Sequence, residues 1–138
     1  MTPQHIALVR HSFDQLAPIA DPAAELFYKN LFQADPSLRT LFRGDMREQG
    51  AKLMQMIGAA VKLLDQPQTL MPVLRQLGAR HGGYGVQPVH YDTVGGALLL
   101  TLEQGLGEAF DVPTRAAWTT MYGLVSRTMM DAAQAQAA

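Results

Sequence analysis

The sequence predicts an all-α fold, and three observations carry that prediction. Apolar residues recur at spacings of three and four through most of the chain, the period of a helix with one buried face. Thr-Pro, Asp-Pro and Gly clusters punctuate these stretches where helices start and stop. No segment alternates apolar and polar residues as a half-buried strand does. Val86 is isolated, and the run Ala97 to Leu100 sits inside a helical period. Six or seven helices joined by short loops accommodate the whole pattern, with no repeat or low-complexity linker.

In chain order, Thr2-Pro3 offers an N-cap followed by proline in the first turn, and Ile6, Leu8, Val9, Phe13 and Leu16 supply the apolar side. Pro18 ends that segment. Asp21-Pro22 caps the next helix or marks an irregular turn inside it, with Leu26, Phe27, Leu31 and Phe32 facing inward. Asp35-Pro36 repeats the signal before a short piece carrying Leu38, Leu41 and Phe42. Asp45-Met-Arg-Glu48 has capping-box spacing and opens a long helix to about Leu64, with a stripe of Leu53, Met56 or Ile57, Ala60 and Leu64. Pro67 breaks the chain before a helix whose stripe is Leu70, Leu74, Leu77 and His81. Gly82 and Gly83 follow at once and are expected to stop it. Gln87-Pro88 starts a further helix with Val94, Leu98, Leu102 and Leu106 on one side. Asp111-Val-Pro113 starts the last, carrying Ala117, Met121, Leu124 and Val125. The Ala/Gln tail from Ala132 is expected to be a fraying helix end.

Composition narrows the function. A chain of 138 residues is expected to form one domain, 1–138, large enough for a core. A hydrophobic share of 48% argues against disorder, and a net charge of −1 with the signs interspersed leaves no footprint for nucleic acid or a membrane surface. No apolar run approaches a transmembrane span and no basic-then-apolar leader opens the chain, so a cytoplasmic location is expected. The absence of cysteine removes disulfides, thiolate nucleophiles, iron–sulfur clusters and zinc fingers together.

Little enzymatic chemistry of the common kinds remains. Ser12, Ser37 and Ser126 sit in no strand–turn–helix elbow, and no glycine-rich loop follows a strand. Of the histidines, His5, His11, His81 and His90, none pairs with another at the four-residue spacing of a two-histidine metal site. His5 and His11 read as solvated, and His90 as an exposed first-turn residue. His81 ends an apolar stripe. It can cap the last carbonyls, sit half-buried in the core, or present one ring nitrogen to something flat and apolar. Gln49 stands four residues before Leu53, which places a polar amide on the face of an apolar stripe; it can equally be a first-turn surface residue. Tyr28, among Phe27 and Phe32, is either a core tyrosine with a backbone partner or a second polar tip in apolar company.

The segments agree in order and spacing with one family. Leu77-Gly-Ala-Arg-His81-Gly-Gly-Tyr-Gly-Val86, His90-Tyr91-Asp-Thr-Val94-Gly95, Leu102-Glu-Gln-Gly-Leu-Gly107 and Thr114-Arg-Ala-Ala-Trp118-Thr-Thr-Met-Tyr122-Gly123 carry the resemblance. Phe27-Tyr28-Lys-Asn-Leu-Phe32 and Asp35-Pro36-Ser-Leu-Arg-Thr-Leu-Phe42 extend it upstream. From about Pro3 to Met130 the chain resembles bacterial single-domain globins and the globin domain of flavohaemoglobins, with further similarity to neuroglobins. The resemblance implies a globin fold around haem b, and with no cysteine to attach it the haem is non-covalent. It puts His81 at the proximal histidine that ligates iron and Phe42 at the aromatic packed on the porphyrin. Tyr28, Gln49 and Leu53 fall at the distal positions around a bound gas. The expected lining is Leu53, Ile57, Val86, Tyr91, Val94 and Leu98. Neutral imidazole is a good iron ligand, and its other nitrogen can bond a carbonyl of the preceding turn.

The same resemblance implies reversible binding of O2, NO and CO, with O2 held tightly. Bound O2 carries partial superoxide character, so donors such as the Tyr28 hydroxyl and the Gln49 amide favour it over neutral CO. The Tyr28–Gln49–Leu53 set is also similar to that of flavohaemoglobins, which convert nitric oxide to nitrate and must then have their iron re-reduced. Their flavin and nicotinamide domains are missing from this sequence, so the implied partner is a separate reductase; storage, scavenging or sensing without turnover is the alternative. Tyr91 matches a proximal tyrosine of that family, but the tail Ala132-Ala-Gln-Ala-Gln-Ala lacks the glutamate that accompanies it, which argues against a peroxidase-like push. Neuroglobins place a histidine on iron where Gln49 stands. An open or water-occupied sixth position is therefore expected, with Tyr28 phenolate at high pH or Lys52 as other possible ferric ligands.

Overall fold

The computed structural model describes residues 1–42, 44–83 and 85–137, so Tyr84 of the His81 motif lies outside the described residues. Six α-helices follow in order: α1 (Pro3–Leu16), α2 (Ala20–Ala34), α3 (Met46–Lys62), α4 (Pro67–Gly83), α5 (Pro88–Leu106) and α6 (Val112–Ala137). Three short 3-10 segments, Ala17–Ile19, Pro36–Leu41 and Gly107–Ala109, join them. The short third piece read around Leu38 is one of these, a tight helix rather than an α-helix. Four of the expected caps are in place, while Asp21-Pro22 lies inside the first turn of α2, whose start at Ile19 has no side-chain cap. Thr2 accepts the His5 N–H at 3.1 Å, the Asp35 carboxylate the Ser37 N–H at 3.0 Å, Asp45 the Arg47 N–H at 2.8 Å and Asp111 the Thr114 N–H at 3.0 Å. Each satisfies a donor that a helix start leaves open, for about 1 kcal/mol.

Three sequence expectations need correction. Gly82 and Gly83 do not stop the helix; they form its last turn, and the positive φ that turns the chain falls at Gly85 (+87°). Gly82 is there because α6 passes close by: a Cβ on it would stand 3.1 Å from the Cβ of Ala133. α6 continues through the Ala/Gln stretch to Ala137, and Ala133 makes that contact. His5 is not solvated but half-buried, with a shielded Nδ1 that has no partner among the described residues. His90 is half-buried as well, and its Nδ1 accepts the Gln87 N–H at 2.9 Å, which caps α5.

The helices pack as two layers crossing over a common core. α4 lies along α6, α2 crosses α5 and rests on α3, and α1 closes over α6 and α3. Close crossings are made by glycines facing a neighbour. A methyl at Gly78 would overlap the Met129 backbone, and one at Gly50 would come within 2.9 Å of the Ala24 Cβ. Val9, Leu31, Leu70, Leu102 and Trp118 are buried almost completely. At about 25 cal/mol per Å² each such leucine contributes roughly 2 kcal/mol.

Polar ties set how the layers meet. The Trp118 indole donates to Ser12 Oγ at 2.7 Å, joining α6 to α1. Arg10 reaches from α1 to the end of α3, donating to the Val61 and Lys62 carbonyls at 3.3 and 2.8 Å and to the Asp65 carboxylate at 2.9 Å. Asn30 donates to Thr101 Oγ1 at 3.1 Å and Gln104 Oε1 at 2.9 Å, which fixes α2 on α5. Among the described residues no helix is long and apolar enough to cross a membrane.

Candidate functional site: the space between α3 and α4

The expected site residues flank the interval between two helices, α3 and α4. Among the described residues α3 and α4 scarcely approach one another, although each is packed firmly elsewhere. The α6-facing side of α4 is marked by Gly78 and Gly82. His81 precedes Gly82 by one residue and so stands roughly 100° round the helix from that side. Its Nδ1–H donates to the Leu77 carbonyl at 2.7 Å. That bond fixes the ring and places the lone pair on Nε2, the atom on the far side of the imidazole. The acceptor is a neutral carbonyl one turn back, as the four-residue spacing of Leu77 and His81 allows.

Around this space the expected residues fall into two packed groups. Tyr28, Phe42, Leu53, Val94 and Leu98 belong to a cluster built on α2, with Leu31, Leu38 and Ala97 at its buried centre. Ile57, Val86 and Tyr91 belong to the larger core shared with α6, and Leu98 touches both groups. Phe42, Leu53, Ile57, Val86, Val94 and Leu98 are all half-buried, unlike the sealed leucines behind them. Six apolar side chains on interior positions thus each keep an accessible face, which is the lining a flat apolar group would cover.

Tyr28 is held from several directions. Its ring packs edge-on to Phe27 and Phe42, at centroid distances of 5.2 and 5.3 Å, and stacks on Phe32 at 6.0 Å. The hydroxyl donates to the Gln49 backbone carbonyl at 3.2 Å, so it is engaged with α3 rather than aimed freely into the space. Burial pushes the Tyr28 phenol up to about 12. Gln49 is half-buried one residue before Gly50, where α3 crosses α2. Lys52 is exposed on the outer side of α3.

One residue went unread in the sequence. Tyr122 on α6 donates its hydroxyl to the Tyr91 backbone carbonyl, and a Cβ at Gly95 would meet its ring at 2.7 Å. The signal available was Gly95, a glycine inside an apolar helical run, which marks a close approach. Tyr91 itself is buried, and its own hydroxyl has no partner among the described residues.

The donor set suits haem. One imidazole of fixed tautomer faces away from its own helix contact, apolar walls keep accessible faces, and no cluster of three acidic or histidine side chains competes for a metal ion among the described residues. Comparison with known proteins agrees. The globin family model matches residues 25–129. The chain belongs to the globin family. Globins are haem proteins that bind small gas molecules. This globin is 35% identical to a neuroglobin of Danio rerio over 88% of its own length and 86% of the relative's. It is 27% identical to a flavohemoprotein of Vibrio cholerae over 95% of its length, which is 34% of that longer protein. Among solved structures it superposes with a TM-score of 0.86 on an engineered carbene transferase from Rhodothermus marinus, described as a candidate nitric oxide dioxygenase. The two are 27% identical, with 99% of this chain and 96% of that one covered.

Proposed function

We propose that this globin holds haem b non-covalently between α3 and α4, with His81 as the protein ligand to iron, and binds O2 tightly and reversibly. NO and CO are further ligands, and nitric oxide dioxygenation is supported with the help of a separate reductase. The observation that carries the reading is the His81 ring, tied through Nδ1 to Leu77 beside a space lined by accessible apolar faces. When bound, the group supplies an iron site for diatomic gases and the one-electron chemistry that nitric oxide oxidation requires.

The chain's own residues set what that site does. Phe42, Leu53, Ile57, Val86, Val94 and Leu98 exclude water and hold the flat group by burial at about 25 cal/mol per Å². Gln49 offers an amide donor on the α3 side and Tyr28 a second once its hydroxyl turns from the Gln49 carbonyl; such donors favour a ligand that accumulates negative charge. Tyr28 stays protonated at neutral pH because burial opposes the phenolate, so it acts there as a donor. On the other side, Nδ1 of His81 bonds to a backbone carbonyl, a weaker source of electron donation to a metal ligand than a carboxylate would be. That favours gas binding and nitric oxide chemistry over peroxide cleavage.

Titration with hemin tests the core of the reading. A Soret band should appear at one equivalent, and His81→Ala should weaken or abolish it with helical content unchanged by circular dichroism. A full-strength band in the variant would refute His81 as ligand. Mixing the O2-loaded protein with NO should give one nitrate per NO consumed. O2-loaded protein that is stable to NO would leave oxygen storage or sensing as the function.

A further inference from the structure

The connection from α4 to α5 closes on two consecutive amides. The Val86 N–H donates to the His81 carbonyl at 3.0 Å, and the Gln87 N–H donates to His90 Nδ1 at 2.9 Å. Pro88 follows and has no N–H, so the Gln87 amide is the last donor before α5 begins. His90 thus fills the return arm of a capping box, where a glutamate or glutamine ordinarily reaches back to the N-cap amide. Those two residues accept a hydrogen bond on either side of neutrality. An imidazole accepts only while one ring nitrogen keeps its lone pair, and here that nitrogen is Nδ1, with the proton on Nε2. The side-chain caps from Thr2, Asp35, Asp45 and Asp111 all accept through oxygen. The cap of α5 differs from them in being lost to a single proton.

A charged ring has a place to turn. His90 is half-buried, and Asp35 at the start of Pro36–Leu41 is the carboxylate that faces it from outside α5. Bonds from Ser37 hold the Asp35 carboxyl below the usual carboxylate range, and the charge of His90 adds to that. Both Ser37 bonds end on Oδ1, which leaves Oδ2 to receive the ring. The acid beside His90 on its own helix, Asp92, is exposed and acts on the Tyr122 phenol. We propose that His90 is a proton-operated latch on α5. Neutral, it holds the Gln87 amide and closes the cap; protonated, it releases that amide and pairs with the Asp35 carboxylate. α5 carries Val94 and Leu98, so opening the latch reaches the proposed haem site. That consequence rests on the proposed function, whereas the latch itself does not.

Imidazole is the side chain whose charge changes between about pH 5 and about pH 8, which sets the range of the test. Nuclear magnetic resonance follows the full isotope-labelled chain across it, in the diamagnetic carbon monoxide–saturated ferrous form, or as purified if hemin does not bind. The latch and the haem reading therefore fail separately. At the alkaline end the His90 ring should carry its proton on Nε2. Protection of the Gln87 amide against exchange, taken relative to the intrinsic rate at each pH, should fall about fivefold as the ring gains its second proton. That is the loss of one neutral hydrogen bond. His90→Gln keeps an acceptor throughout and should hold the protection constant. Asp35→Asn keeps a capping side chain for Ser37 but not the charge, and should move the fall to lower pH. Four results would each overturn the proposal: protection that does not change with pH, an equal fall in His90→Gln, a proton on Nδ1 at the alkaline end, or a fall unmoved in Asp35→Asn.

Discussion

At the scale of single residues, two hydrogen bonds to backbone carbonyls set the chemistry: His81 to Leu77 and Tyr28 to Gln49. The first fixes a tautomer, and the second holds the Tyr28 hydroxyl against α3, a bond it must leave to donate to a ligand. Tyr28→Phe removes one neutral hydrogen bond, so O2 release should quicken roughly fivefold and stability should fall by about 1 kcal/mol. Flash photolysis and urea melts read the two effects. Alkali tests the same hydroxyl. Its pKa is raised from 10.0 to about 12 by burial, so the folded state favours the protonated form. The stability this gives is complete below pH 10 and drains away between pH 10 and about 12. The sequence made His81 and Tyr28 legible, because each is a polar group on an apolar face. It could not show that the Tyr28 hydroxyl is taken by a carbonyl 21 residues away, since main-chain acceptors leave no mark in composition.

At the scale of helices, the starts were legible and the ends were not. Side-chain caps such as Asp45 and Asp111 act locally, so their signal survives in the sequence. Gly82 and Gly83 misled because glycine serves two purposes, ending a helix and letting another helix approach. Only the partner helix distinguishes them. The distinction is measurable at two glycines. Gly78→Ala drives a methyl into the Met129 backbone and should lower stability by about 2 kcal/mol or more, outweighing the gain in helix propensity. Gly96→Ala meets nothing within 4 Å in the middle of α5 and should raise stability by up to about 1 kcal/mol. Denaturant midpoints should move in opposite directions.

At the scale of the molecule, a globin was readable because many weak segments agreed in order, whereas the spacing of α3 from α4 is a property of the packing alone. A chain with half-buried apolar walls facing a gap should be markedly less stable when the gap is empty. Stripping haem should lower Tm by at least about 10 °C, the effect of a ligand present at a hundredfold its Kd on a chain of this size. Equal melting of the stripped and loaded protein would count against the proposed haem site.

The family match begins at residue 25, beyond α1, yet α1 is tied in by Arg10 to the end of α3 and by Ser12 to Trp118. The Arg10 bonds span 51 to 55 residues and the Ser12 bond 106. The two ties draw on different parts of the chain: the Arg10 clamp needs only α3, whereas the Ser12 bond needs the Trp118 indole of α6. The N-terminal helix is thus a staple between two helices far apart in the sequence, so cutting it loose would free the end of α3 and the Trp118 region of α6 together.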